Sequence, residues 1–284
     1  MSLELRRRAE LSPEQIASLE RAMAKFYQHP PANYYDIAEE AVGQYSAKER
    51  PFHWDLANRA QPGMSVLELG CGSAHLCPYV EERGASYTGV DYSESLLEKN
   101  RRRFPKARFL AMNAPLEETF DLVASLYTIE HVVDPVAYLD RLRQHCKPGG
   151  LIGIICPEFI DSDGFPPGVF FGKTPQRFRE KLTSLSLLDA FGHFNDLKLT
   201  GPRWKQAAQN SPPGAFWINL RPRVLHGAPY SIDADAVHCS RLKDLVWYLN
   251  QKGDSIVQSS AQMPGVAPEI LRFNCYVLAR KTER

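Results

Sequence analysis

The stretch VLELGCGSAHL, Val66 to Leu76, decides the fold. Val66-Leu67-Glu68-Leu69 reads as a short apolar strand with one acid inside it, and the strand breaks into Gly70-Cys71-Gly72. Glycines at a strand end let backbone N–H groups come close to a ligand. In an open parallel sheet, ligands bind beyond the carboxyl ends of the strands, where the strand order switches. The stretch therefore predicts a strand followed by a loop that cradles a nucleotide-like ligand.

Downstream the pattern alternates regularly. Residues 73–83 read as a helix ended by Gly84, and Tyr87-Thr88-Gly89-Val90 as a second strand. Ser93 caps a helix through Arg103. Arg108–Ala111 and Phe120–Ser125 are further strands. A helix over 134–146 stops at Lys147-Pro148-Gly149-Gly150, before a strand from Leu151 to Cys156. Strands that are continuously apolar and alternate with helices imply a parallel sheet covered on both faces. Right-handed crossovers make it an α/β, Rossmann-like, doubly wound sheet, mostly parallel, with seven strands expected.

Upstream, residues 1–60 read as a helical segment. Ser12-Pro13-Glu14-Gln15 carries an N-cap serine, a proline at the first helical position and a capping-box glutamine. Asn33-Tyr34-Tyr35-Asp36 opens a second helix through about Tyr45, and Asp55–Ala60 ends a third. The core is assigned to 61–156 and 239–284. Between them, 157–238 is rich in proline, glycine and aromatics, with a helix expected from Thr174-Pro175 through Leu188. It is too long for a loop and reads as a helical cap over the acceptor side. In the returning core, Ser240 is expected to cap a helix, with strands at Ser255–Gln258 and Arg272–Ala279.

The chain has 284 residues, 44% hydrophobic and 24% charged, with a net charge of +1, so bulk electrostatics favour neither nucleic acid nor acidic lipid. The six cysteines are scattered without a C-x-x-C pair, which reads as reduced thiols of a cytoplasmic protein and not as a disulfide framework or metal site. Residues 1–15 lack the apolar core of a signal peptide, and LIGIIC is too short to span a bilayer. No membrane partner is expected. A homodimer is compatible with the sequence, which does not itself fix the oligomeric state.

The cofactor follows from two departures. The dinucleotide fingerprint G-x-G-x-x-G fails here, because the sixth position from Gly70 is His75. A pyrophosphate would also lie near Glu68, an anion beside an anion. S-adenosylmethionine has a ribose and an adenine but no phosphate, and it carries a sulfonium and an ammonium that acids favour. Asp91, about twenty residues beyond the loop, stands where an acid accepts ribose hydroxyls.

These residues resemble the class I S-adenosylmethionine-dependent methyltransferases. Val66–Gly72 resembles the first motif, and Thr88-Gly89-Val90-Asp91-Tyr92-Ser93 the ribose-binding strand end. Met112–Leu116 resembles the adenine loop. Phe120–Val123 followed by Ile129-Glu130-His131-Val132-Val133-Asp134-Pro135 resembles the fourth motif, and Leu142–Leu151 the helix, turn and strand after it. The resemblance implies that Glu68 orders the glycine loop and that Gly70, Cys71 and Gly72 line the cofactor. Asp91 would hold the ribose and Tyr92 stack on adenine. Asn113 and the Ala114 backbone would meet the adenine edge, the backbone at Leu126 the methionine end, and Tyr34 or Tyr35 the methionine carboxylate. Ala74 stands where the family has a third glycine and Asn113 where it has aspartate. Both read as small changes.

Methyl transfer needs alignment and a deprotonated acceptor. His131, after the fourth strand of the pattern, is the candidate base. His53, His193, His226 and His238 are weaker candidates, and Asp161 and Asp163 follow the strand ending at Cys156. Ser125-Leu126-Tyr127-Thr128 lacks the Asn/Asp-Pro-Pro-aromatic signature of amine methylases, which argues against a nucleobase. Phe159, Phe165, Phe170, Phe171, Trp204, Phe216 and Trp217 form a mini-core of the insertion or line an apolar acceptor pocket. The expected activity is methylation of a small-molecule hydroxyl. The alternatives are a cyclase or aminocarboxypropyl transferase on the same fold, a non-catalytic binding module, and, least supported, a nicotinamide oxidoreductase.

Overall fold

The computed structural model describes residues 4–31, 33–34, 45–162, 187–226 and 230–283, save the side chains at 189, 193, 196 and 197. In chain order the elements are β1 Leu5–Arg7, α1 Pro13–Gln28, α2 Pro51–Ala57, β2 Ser65–Leu69, α3 Cys77–Glu82, β3 Ser86–Asp91, α4 Glu94–Arg103, β4 Arg108–Ala111 and β5 Phe120–Leu126. They continue with α5 Pro135–His145, β6 Cys146–Pro157, α6 Leu187–Asn195, α7 Gly201–Gln209, β7 Trp217–Asn219, β8 His238–Cys239, α8 Leu242–Gln251, β9 Ser255–Ser259, α9 Pro268–Phe273 and β10 Asn274–Arg280.

A seven-stranded sheet runs β4-β3-β2-β5-β6-β10-β9. β2 lies between β3 and β5, parallel to both. β10 is antiparallel to both neighbours, β6 and β9. The strand order reverses at β2, so the loop after Leu69 opens at the switch point.

Alternate residues of each strand enter opposite cores, as the two-residue period requires. Val66, Leu122, Ala124, Tyr276 and Leu278 pack under α2, α3 and α4 with Leu56, Val80 and Leu97. Leu67, Leu69, Val123, Ile152, Ile154 and Val277 face α5 and α8 through Leu139, Leu142, Leu245 and Leu249. This is the expected doubly wound sheet.

Side-chain caps form at three of the helices, two of them at the expected serines. Ser12 Oγ accepts from Gln15 N (3.3 Å) while Gln15 Oε1 accepts from Ser12 N (3.0 Å). Ser93 Oγ accepts from Leu96 N, and Asp134 Oδ1 from Ala137 N. Elsewhere tertiary contacts intervene. Ser240 does not cap α8, because its hydroxyl donates to the Pro157 carbonyl (2.7 Å) and Arg241 takes the cap position. Arg272 and Phe273 end α9 and do not begin the last strand. β6 starts at Cys146, because the Lys147–Gly150 turn bonds to Lys281 (Gly149 N to Lys281 O, 3.1 Å). The helix expected at 174–188 lies outside the described residues except for its last positions, which belong to α6.

The N-terminal segment is not wholly helical. β1 pairs antiparallel with β7, and β7 with β8, in a second sheet of three strands. α1 packs through Ile16, Leu19 and Met23 on Ile218 of β7, on Val237 just before β8 and on Val133. Phe159 and Trp217 join Leu5 and Trp204 in a small core, and Phe216 enters the main one. These aromatics serve packing. Phe165, Phe170 and Phe171 lie outside the described residues.

Candidate functional site

The loop after β2 is held from behind. Gly70 N and Cys71 N donate to Val90 O (2.8 and 3.0 Å), and Tyr138 OH on α5 donates to Leu69 O (3.0 Å). Gly70 has φ +74°, and a Cβ there would lie 2.2 Å from Thr128 Cγ2. Thr128 Oγ1 donates to Gly70 O (3.1 Å) and Leu126 O (3.1 Å), locking the loop against the end of β5. Gly72 has φ +48° and open space where its Cβ would stand. Ala74 is buried with φ +54°, a left-handed backbone that costs an alanine about 1–2 kcal/mol. The change from glycine is thus tolerated at some strain. It also explains why α3 begins only at Cys77.

Asp91, at the end of β3, takes the role expected of Glu68. Its Oδ2 accepts from Gly72 N (2.8 Å) and its Oδ1 from Ser93 N (2.8 Å). Burial raises its carboxyl, against the pull of those backbone donors. Glu68 has another place: it is 3% exposed and its Oε2 accepts from Tyr87 OH. Burial pushes its carboxyl up to about 8, with the Tyr87 bond opposing and Asp91 adding. The folded protein therefore binds this proton more tightly than the unfolded chain. The stabilisation it brings is complete below the ordinary carboxyl range, about pH 4.3, and is lost as pH rises to about 8. Denaturant titration of the cofactor-free protein should show Glu68→Gln gaining on wild type between pH 5 and pH 8. A gap that does not change with pH would mean that Glu68 is ionised throughout.

These groups open on a cavity of about 1050 Å³, which Glu68, Gly70, Cys71, Gly72, Asp91 and Tyr92 share with Leu126 and His131. Tyr92 stands 54% exposed at its rim. Ser73 Oγ also lines it, buried and with no hydrogen-bond partner among the described residues. An open glycine backbone, a carboxylate at the end of β3, a buried acid and an unmet hydroxyl fit a sulfonium nucleoside. Met112 lines the cavity. Asn113 is exposed beyond it, and the Ala114 N–H is spent on Ala111 O (2.9 Å). Tyr34 lines the cavity, whereas Tyr35 lies outside the described residues.

His131 sits at the far wall among carboxylates. Its Nδ1 is 3.4 Å from Asp235 Oδ2 and its Nε2 3.9 Å from Glu130 Oε1. Tyr27 OH donates to the same Asp235 oxygen (2.8 Å), and its ring meets the imidazole edge-on. Burial pulls the imidazole down, but Asp235, Glu130 and Asp233 together raise it above its ordinary value. The other histidines differ. His53 is buried against Tyr45 and Tyr127 and pushed down to about 3 by burial, so it stays neutral. His238, pushed down to about 4, faces Ile129 O through Nδ1. His226 is exposed and away from the cavity. The His193 side chain and Asp163 are outside the described residues, and Asp161 pairs with Lys243 (3.0 Å).

The sequence reading missed Tyr27, Thr128, Tyr230, Asp233 and Asp235. None sits in a spacing that marks chemistry. Tyr27 reads as one more apolar position of α1, and Asp235 meets it across 208 residues of chain.

Comparison with known proteins agrees with this geometry. A family model described as a methyltransferase domain matches residues 44–196, more than half of the chain. A ubiquinone biosynthesis O-methyltransferase of Ruegeria pomeroyi is 29% identical over 170 residues, covering 50% of this chain and 62% of that protein. One of Dinoroseobacter shibae is 32% identical over 105 residues, covering 32% and 40%. The chain thus spans about half the length of the curated relatives it matches. Among solved structures, the Burkholderia thailandensis 1,6-didemethyltoxoflavin-N1-methyltransferase shares 17% identity at TM-score 0.53, covering 96% of this chain and 91% of that one. The Synechocystis magnesium protoporphyrin IX methyltransferase shares 13% at 0.51, covering 93% and 100%. These two likenesses establish the fold, that of S-adenosylmethionine-dependent methyltransferases. Switch-point glycine loop, ordered motifs and family match converge: the chain belongs to the methyltransferase-domain family.

Proposed function

We propose that the protein transfers a methyl group from S-adenosylmethionine to a hydroxyl of a small molecule, with residues 157–238 contributing the acceptor side. One observation carries the reading: a single cavity joins the glycine loop and Asp91 to His131. The O-methyltransferase names of the Ruegeria and Dinoroseobacter relatives favour oxygen as acceptor.

S-adenosylmethionine, when bound, supplies a methyl group activated by its sulfonium. Asp91 holds the ribose hydroxyls, the open backbone at Gly72 admits the nucleoside, and Tyr92 covers its adenine. Glu68 and the Leu126 backbone face the methionine end. His131 takes the acceptor's proton on Nε2, and Asp235 and Glu130 stabilise the resulting imidazolium. Walls of Tyr27, Tyr34 and Tyr230 exclude water from the acceptor.

Calorimetry with S-adenosylhomocysteine tests the first half of the reading, and no binding would refute it. Turnover on hydroxylated aromatics tests the second half. The by-product should be S-adenosylhomocysteine, whereas methylthioadenosine would indicate a different transfer. His131→Ala should cut turnover about tenfold or more while cofactor binding persists, since a positioned base gives roughly 100-fold. Because only the neutral imidazole accepts a proton, wild-type kcat/KM should rise with pH through a value above His131's ordinary one. Loss of that rise in His131→Ala would identify the group, and an unchanged rate would remove it from the mechanism.

A further inference from the structure

The wall around His131 sets three acids, Asp235, Glu130 and Asp233, against one imidazole. Asp235 Oδ2 is engaged, by Tyr27 OH and by His131, while its Oδ1 has no hydrogen-bond partner among the described residues. Glu130 is 1% exposed and lines the cavity; its Oε1 lies 3.9 Å from His131 Nε2, its Oε2 has no hydrogen-bond partner among the described residues, and burial holds its carboxyl well above the ordinary value. Asp233 lines the same cavity from a left-handed backbone (φ +62°), its carboxyl pushed up to about 6 by burial. Tyr27, Tyr34 and Tyr230 stand beside these acids. Tyr34 and Tyr230 meet edge to face at 4.9 Å, and Tyr27 and Tyr34 at 6.2 Å. Of the cavity's arginines, Arg141 donates to Met112 O (3.0 Å).

A buried acid with an unmet oxygen, framed by aromatic rings, gains its ionised form when a cation pairs with it, which is the chemistry that recognises an organic ammonium. We propose that this pocket takes an acceptor bearing a protonated amine, with Glu130 and Asp233 as its counter-charges and the three tyrosines as its walls. The inference rests on the methyltransferase reading: the amine is the handle, and the hydroxyl receives the methyl group. The sulfonium is a rival cation for the same carboxylates, so the test must separate the two.

The test is calorimetry on the full chain saturated with S-adenosylhomocysteine. Matched ligands are titrated: tyramine against 4-ethylphenol, dopamine against 4-ethylcatechol, and 3-(4-hydroxyphenyl)propionate as the anionic counterpart. Each amine should bind about tenfold or more tightly than its neutral match. In Glu130→Gln and in Asp233→Asn that preference should fall below about threefold, with S-adenosylhomocysteine affinity unchanged. Asparagine tolerates the left-handed backbone at 233, and unchanged cofactor-product binding reports an intact fold. Amines that bind no better than their neutral matches, that lose to the anion, or that fail to bind would overturn the proposal. So would variants that weaken S-adenosylmethionine selectively over S-adenosylhomocysteine, since the acids would then serve the sulfonium. Absence of S-adenosylhomocysteine binding in wild type is a separate result, against the methyltransferase reading itself.

Discussion

Gly70→Ala is expected to destabilise the protein by about 2–4 kcal/mol, read by urea denaturation. Alanine at φ +74° costs about 1–2 kcal/mol in the left-handed region. Its Cβ would then meet Thr128 Cγ2 at 2.2 Å and Oγ1 at 2.4 Å, and relieving such an overpacked contact costs about 1–3 kcal/mol. The smaller entropy of the unfolded alanine chain returns about 0.4–1 kcal/mol. Thr128 cannot simply rotate away, because its hydroxyl bridges the Gly70 and Leu126 carbonyls. Thr128→Ala in the same chain should restore part of the loss, since only its Cβ, 2.8 Å away, would still collide. A double-mutant cycle measures that coupling. A loss under about 0.5 kcal/mol would show that the loop can shift and that the lock between β2 and β5 is unimportant.

Asp91→Ala should weaken S-adenosylhomocysteine by about 100-fold or more, measured calorimetrically. Hydrogen bonds to a charged acceptor contribute about 1.5–3 kcal/mol each, and the proposed role gives Asp91 two ribose hydroxyls. The same carboxylate bonds Gly72 N and Ser93 N, so its removal also frees the glycine loop and the start of α4. Asp91→Asn separates these effects, because its amide oxygen can still take one backbone donor. Its binding should fall less than that of the alanine variant. Equal affinity in wild type and Asp91→Ala would remove the ribose from this strand end.

The site was only partly legible because its halves obey different rules. The glycine loop and Asp91 lie at strand ends within about twenty residues of each other, so local pattern places them. Glu68 is legible in the strand, but its partner is not, since the position of Tyr87 depends on the register Glu68↔Gly89 and Val66↔Tyr87. The acceptor wall has no local signature. Tyr27 comes from α1, Glu130 and His131 from the turn after β5, and Asp233 and Asp235 from the segment just before β8.

What the sequence alone determined is the sheet and the ligand-binding edge. Continuously apolar strands, alternating helices and a glycine break after Leu69 leave few foldable arrangements. What only the tertiary structure decided is the antiparallel insertion of β10 beside β6, the second sheet joining β1 to β7, and the ring of acids and tyrosines around His131. These depend on long-range pairing and burial. A carboxylate's charge, or a tyrosine's orientation, is set by neighbours that the chain brings together only when it folds.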